Sequence, residues 1–273
     1  MTGMEPVLVG AVAYTPNVVP IWEGIRDYFR GAPVEMDFVL FSNYGRQVDA
    51  LIDGMIDIAW NTNLAWVRTA LRTGGTATAL AMRDVDLDYR TLLVSRAGAG
   101  FTGPGDLRGR RLALGSRDSA HAAILPVHYL RKEGIADGDL ELLRIDSDLG
   151  KHGDTGRSEL DAIRAVLDEH ADAAAIGVST WEAIGKEDLM PGALEAFWTS
   201  PAYCHCNFTA LGGIDPDRAE AWASHLLAMD WDQPEHRRIL ELEGLRRRWV
   251  RPELEGYADL FEAVEEQQTP ARW

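Results

Sequence analysis

The sequence predicts a two-lobed α/β protein built on parallel sheets, and three observations lead there. Apolar runs of strand length alternate with segments of helical period, the order that produces parallel strands joined by crossover helices. The alternation breaks at the Gly-rich stretch 97–105 and then starts afresh. Residues 48–60, Val-Asp-Ala-Leu-Ile-Asp-Gly-Met-Ile-Asp-Ile-Ala-Trp, are echoed at 163–175 by Ile-Arg-Ala-Val-Leu-Asp-Glu-His-Ala-Asp-Ala-Ala-Ala. Both copies read as an amphipathic helix, a short turn, an Asp and a buried strand, with Asp57 and Asp172 in the same place.

In chain order, the first half gives strand Val7–Ala13, helix Val18–Phe29, strand Val34–Phe41, helix Tyr44–Ile52, strand Asp57–Trp60 and helix Leu64–Leu71. Strands Thr76–Met82 and Tyr89–Ser95 follow. After the Gly-rich loop come strand Arg111–Leu114, helix Ala120–Lys132, strand Glu141–Ile145, helix Glu159–Leu167, strand Ala173–Ile176 and helix Thr180–Ile184. Phe197–Trp198 and Phe208–Leu211 are late strands, and the tail from Pro216 reads as mostly helical, with Pro252 opening its last piece.

Composition narrows the function. The 273 residues are 46% hydrophobic and 26% charged, enough for packed cores. The net charge is 27 − 43 = −16, which repels phosphate backbones and argues against a nucleic-acid partner. An anionic ligand therefore needs a local source of positive potential. No stretch reaches the ~20 apolar residues of a membrane span, so no transmembrane segment is expected. The first residues carry no basic segment followed by a long apolar one, so a cytoplasmic location is expected. A periplasmic or lipid-anchored one is the alternative if a signal has been removed.

Three segments carry a family resemblance. They are Tyr44 to Trp60, whose helix ends in a Gly-x-x-Asp turn; Gly109 to Pro126, a strand, a Ser-containing loop and a helix with proline one turn in; and His152 to Leu167, a His-containing loop before a helix. In order and spacing over residues 7–211 the chain resembles the phosphate/phosphite/phosphonate (PhnD-like) substrate-binding proteins of ABC transporters. The hydroxyl-rich run of phosphonate binders appears here as Asp118-Ser119-Ala120-His121, with a carboxylate and an imidazole in place of hydroxyls. The resemblance implies a type II periplasmic-binding-protein fold whose lobes are joined by crossing strands. Lobe one is then 1–94 plus 203–273 and lobe two 95–202, with a ligand cleft between them. It also implies a transporter permease as partner if the protein is exported.

Doubly wound sheets bind ligands at the carboxyl ends of strands, beside helix N-termini. Such junctions here are Tyr14-Thr15-Pro16-Asn17, Ser42-Asn43-Tyr44, Asn61-Thr62-Asn63, Ser116-Arg117-Asp118-Ser119 and His152 to Ser158, which includes Thr155. Their side chains and backbone N–H groups supply positive potential without net positive charge. Trp60 is expected to wall the ligand and Trp66 to be core. His121, in the first turn of its helix, and His152, in a Gly-flanked loop, can meet an anion or move a proton. His128, seven residues on, reads as a packed or capping residue. Arg246-Arg247-Arg248 is expected to pair with surrounding glutamates on a solvated face.

Cys204-His205-Cys206 is the least ordinary tripeptide. On extended backbone the two thiols point one way and His205 the other, giving half of a soft-metal site. Two small buried residues in a crossing strand are the structural alternative.

Two functions are compatible with these residues. The first is an ABC-transporter-type substrate-binding protein that closes on a small anionic, phosphonate- or phosphate-like solute and needs no cofactor. The second is a cytosolic biosynthetic enzyme, since enzymes of thiamine-pyrimidine and menaquinone synthesis also resemble binding proteins. Under that reading His121, His152, Asp118 and Cys204 are the reacting groups, and iron or zinc sits at Cys204, His205 and Cys206.

Overall fold

The structure, a computed structural model, describes residues 5–151, 157–184 and 191–272. Its first strand, β1 (Val7–Val12), is apolar and almost wholly buried because strands pair with both of its edges. The chain continues through α1 (Val18–Tyr28), β2 (Met36–Phe41), α2 (Tyr44–Ile52), β3 (Ile58–Asn61), α3 (Asn63–Arg72) and β4 (Thr78–Arg83). It then builds β5 (Thr91–Arg96), β6 (Arg111–Leu114), α4 (Leu125–Lys132), β7 (Glu141–Arg144), α5 (Arg157–Leu167), β8 (Ala173–Gly177), α6 (Val178–Ala183) and β9 (Leu194–Thr199). The last elements are β10 (Asn207–Ala210), α7 (Pro216–Leu227), α8 (Pro234–Leu242), β11 (Trp249–Val250) and α9 (Ala258–Glu266).

These elements form two compact units. Unit one, Met1–Asp88, Cys204–Tyr257 and Pro270–Trp273, holds a sheet ordered β11-β4-β10-β3-β1-β2. Unit two, Tyr89–Tyr203 and Ala258–Thr269, holds a sheet ordered β7-β6-β8-β5-β9. Each sheet is mixed on one pattern. Three strands are parallel, β2-β1-β3 in one and β7-β6-β8 in the other, and an antiparallel strand, β10 or β5, pairs with the third. Residues 258–269, expected with the first lobe, group with unit two.

Unit one is packed around aromatics: Trp222 lies over Phe29 at 5.4 Å and meets Phe208 edge-on at 4.9 Å. Unit two is built on small residues. Ala174 and Ile176 of β8 face Ala162, Ile163 and Val166 of α5. Ala173 and Ala175 face the other way, towards Leu112, Leu114, Ala123 and Val127.

Two elements differ from expectation for identifiable reasons. The helix predicted over Ala120–Lys132 begins as a π turn, Ala120–Ile124. Pro126 has no N–H to give the Ala122 carbonyl, and Gly115 N–H donates to it instead, at 2.9 Å. The tail from Pro216 is mostly helical, as expected, but Trp249–Val250 adds an unforeseen edge strand to β4, which periodicity over two residues cannot reveal.

Candidate functional site

In unit one the strand ends lead directly into helix starts. Tyr14 is half-buried and Thr15 exposed after β1. Asn17, the N-cap of α1, makes no side-chain capping bond, so the first-turn N–H groups are not taken by its amide. Asn43 caps α2 by accepting from Arg46 N–H at 2.9 Å, and Thr62 caps α3 by accepting from Ala65 N–H at 3.4 Å.

Several residues expected to touch ligand are engaged inside this unit. Tyr44 is 1% exposed and packs with Val12, Val48 and Ala65. Asn61 belongs to a buried polar chain: Gln47 donates to its Oδ1 at 2.9 Å, and its Nδ2 donates to Thr209 Oγ1 at 3.0 Å. Thr209 donates on to Asn207, and Asn207 to the Tyr257 hydroxyl. Asn63 is buried, its amide donating to the Cys204 carbonyl at 3.4 Å. Trp60, expected to wall a ligand, is a core residue. Its ring lies 4.6 Å from Phe208 and 5.8 Å from Trp249, because β3 is covered on that face by the helices that bury Phe208. Trp66 is buried as expected.

The Cys204-His205-Cys206 geometry also departs from expectation. The two thiols do not share a direction. Cys204 Sγ donates to the Glu253 carbonyl at 3.2 Å, whereas Cys206 Sγ lies 3.1 Å from His205 Nδ1. The groups that gather are Asp86, His205 and Cys206, all buried. Arg83 already holds Asp86 with two bonds, of 2.7 and 2.9 Å. Burial raises the Asp86 pKa, but Arg83 and His205 outweigh it and leave the value at about 2. Burial pushes the Cys204 thiol up to about 11, so it is not an activated nucleophile at neutral pH.

Unit two places the other expected residues at the ends of β6 and β8. Ser116 bonds the Asp148 carboxylate, and Ser119 N–H donates to the Ser116 carbonyl at 2.7 Å. Ser119 is the N-cap of the π turn, its hydroxyl accepting from Ala122 N–H at 3.2 Å. Asp118 accepts from Gly150 N–H at 2.8 Å. His121 is 1% exposed, with Nε2 2.9 Å from Glu159 Oε1. The other Glu159 oxygen accepts from Gly177 N–H at 2.5 Å. Thr91 links this group to Tyr203, donating to the His121 carbonyl at 2.7 Å with its hydroxyl 2.8 Å from that of Tyr203. His152 and Thr155 lie outside the described residues.

Sequence reasoning missed Glu159, Asp148 and Gln47. Glu159 left one signal, as an acid in the first turn of α5, but its partner is 38 residues away.

A family model described as the periplasmic substrate-binding protein of phosphonate ABC transporters matches residues 13–257. None of the curated proteins matches the chain. Among solved structures, PhnD1 from Prochlorococcus marinus in complex with methylphosphonate is 21% identical. It aligns with a TM-score of 0.73 over 97% of this chain and 98% of that one. A Xanthomonas citri protein bound to ATP is 18% identical, with a TM-score of 0.74 over 97% and 98%. The periplasmic aliphatic sulphonate binding protein SsuA from Escherichia coli is 14% identical, with a TM-score of 0.64 over 97% and 94%. The fold is that of type II periplasmic binding proteins, and the role is solute binding; the enzymatic alternative finds no support. The matched family is periplasmic, so the cytoplasmic location expected above is unsupported. No helix among the described residues is long and apolar enough to cross a membrane.

Proposed function

Because this chain belongs to the phosphonate family of periplasmic substrate-binding proteins of ABC transporters, we propose that its solute is a small oxyanion, a phosphonate or phosphate in class, delivered to a transporter permease. The observation that carries this reading is where the carboxylates are not. The chain is strongly acidic, yet α1, α2, α3, the π turn at Ala120 and α6 hold no Asp or Glu in their first turns. Each of these follows the end of a strand. By contrast α7, α8 and α9 begin with Asp217, Glu235 and Asp259. The acid that opens α5, Glu159, is taken up by His121 and Gly177.

A helix start without a carboxylate keeps its unneutralised N–H groups and the positive end of its dipole. Such helix starts lie where a sheet of this kind receives ligand, and in unit two the nearby Asp118 and Asp148 carboxylates are engaged by Gly150 N–H and the Ser116 hydroxyl. Tyr14 and Thr15 in unit one, and Ser116 and Ser119 in unit two, are the side chains we assign to such a ligand.

The test is calorimetric titration with methylphosphonate, phosphate, an alkyl sulphonate and an aminoalkylphosphonate, the last because Asp118 puts a carboxylate beside Ser119. Saturable binding of one phosphorus oxyanion, weakened at least about tenfold in Ser119→Ala (~1.4 kcal/mol), is expected. Absence of binding to every member of the panel, in protein that melts cooperatively, sinks the assignment.

A further inference from the structure

Unit two carries a second cluster, on the faces of α4 and α9, that the solute-binding reading does not use. His128 is nearly buried, its side chain 5% exposed. Its Nδ1 lies 2.8 Å from Glu266 Oε2, and a carboxylate only accepts, so the ring proton sits on Nδ1. The other nitrogen, Nε2, is closed off from solvent and makes no hydrogen bond among the described residues. It faces two carboxylates, Asp259 Oδ1 at 3.9 Å and Glu262 Oε2 at 3.8 Å, both beyond hydrogen-bond length. A neutral imidazole here would turn a buried lone pair towards two anions, an arrangement that is favourable only with a cation, a proton or a metal ion, between them.

A tethered cation already visits the place. Lys132 Nζ is 2.8 Å from Asp259 Oδ1 and 3.2 Å from Glu262 Oε2. Its side chain is 50% exposed, so the ammonium can leave into water without being buried elsewhere. Asp259 is further held by Tyr129, whose hydroxyl donates to Oδ2 at 2.9 Å.

We infer that His128 Nε2, Asp259 and Glu262 form a site for a divalent transition-metal ion of the zinc class, with Lys132 as its displaceable occupant. One imidazole nitrogen and two carboxylate oxygens suit zinc or cobalt better than the all-oxygen preference of calcium or magnesium. The three atoms lie within 4.8 Å of one another. Ion bonds of about 2.0–2.1 Å at tetrahedral angles need ligand atoms about 3.3–3.4 Å apart, so each carboxylate oxygen, now 3.8–3.9 Å from His128 Nε2, must close on it by about half an ångström. Glu262, more than half exposed on α9, has the freedom to do so. Glu266 holds the imidazole from behind, as a carboxylate does behind a metal-bound histidine. The ion would pin the C-terminal helix α9 to α4, since His128 comes from one and both carboxylates from the other.

The experiment is competition of full-length, tag-free protein with a chromophoric chelator for Zn²⁺, with Co²⁺ absorption as the structural readout. One equivalent is expected to bind and to raise the melting temperature, because the ion binds only the folded chain. Glu262→Gln should weaken binding by more than about tenfold and Glu266→Gln by about tenfold, while Lys132→Gln should tighten it by removing the competitor. Glu262 is exposed, so its variant keeps the result readable if His128→Gln folds poorly. Cys206→Ser should leave affinity unchanged. No stoichiometric binding, binding insensitive to Glu262→Gln, or binding lost in Cys206→Ser overturns the assignment. None of these outcomes depends on whether the protein takes a phosphonate.

Discussion

Asp57 and Asp172 make the same bond in the two units. The Asp57 carboxylate accepts from Leu8 N–H at 2.8 Å, and Asp57 N–H donates to the Leu8 carbonyl at 2.8 Å. The Asp172 carboxylate accepts from Arg111 N–H at 2.8 Å, and Asp172 N–H donates to the Arg111 carbonyl at 2.9 Å. Each Asp thus ties the entrance of one parallel strand to that of its neighbour. Asp172→Ala should cost about 1.5–3 kcal/mol, the range for hydrogen bonds to a charged group. Asp57→Ala should cost less, since Asp172 also holds the Arg111 guanidinium at 2.8 Å. The Arg111 bond is the largest cause of the lowered Asp172 pKa. This stability is therefore present above the ordinary carboxylate range and is lost as pH falls through the depressed value. Chemical denaturation at pH 7 and pH 3 checks both points; equal stability of Asp172→Ala and parent at pH 7 contradicts them.

The echo continues in the preceding turn. Gly54 and Glu169 occupy equivalent places with φ of 69° and 61°. In both turns the next residue closes the helix, Met55 N–H to the Ala50 carbonyl and His170 N–H to the Ala165 carbonyl, each at 2.8 Å. Glutamate in this left-handed conformation is strained by about 1–2 kcal/mol. Its exposed pair with Arg96 returns about 0–1 kcal/mol. Glu169→Gly should raise the melting temperature by about 2–4 °C, read by calorimetry; a decrease rejects the strain argument.

Glu243 is buried, and burial pushes its carboxyl up to about 7, against the lowering effect of Arg83. Its ordinary value is 4.5. Between these values the folded chain holds a proton that the unfolded chain releases, so stability falls as pH rises through this window. Glu243→Gln should match the parent at pH 4 and exceed it by at most ~3 kcal/mol at pH 8. Parallel stability curves for the two proteins contradict this.

Gly177 lets the His121–Glu159 pair form. A Cβ there would collide with the Tyr89 hydroxyl and come within 3.0 Å of His121 Cδ2. Gly177→Ala should cost about 1–3 kcal/mol through overpacking. A variant with parent stability contradicts a tightly fitted pair.

The sequence by itself determined the order of elements, the paired construction of the units and the family. These reside in apolar periodicity and in local helix–turn–Asp–strand patterns, and the Asp57/Asp172 echo was legible for that reason. Only the tertiary structure decided which polar residues are engaged in the interior. Trp60, Tyr44 and Asn61 sit at strand ends or helix starts in sequence, yet they are buried by residues 208, 65 and 209 from other elements. His121 finds Glu159, and His128 finds Asp259 and Glu266, across stretches of chain that contain whole helices and strands. A side chain's burial and partner depend on which distant surface the fold brings to it, and periodicity within a segment carries no record of that surface.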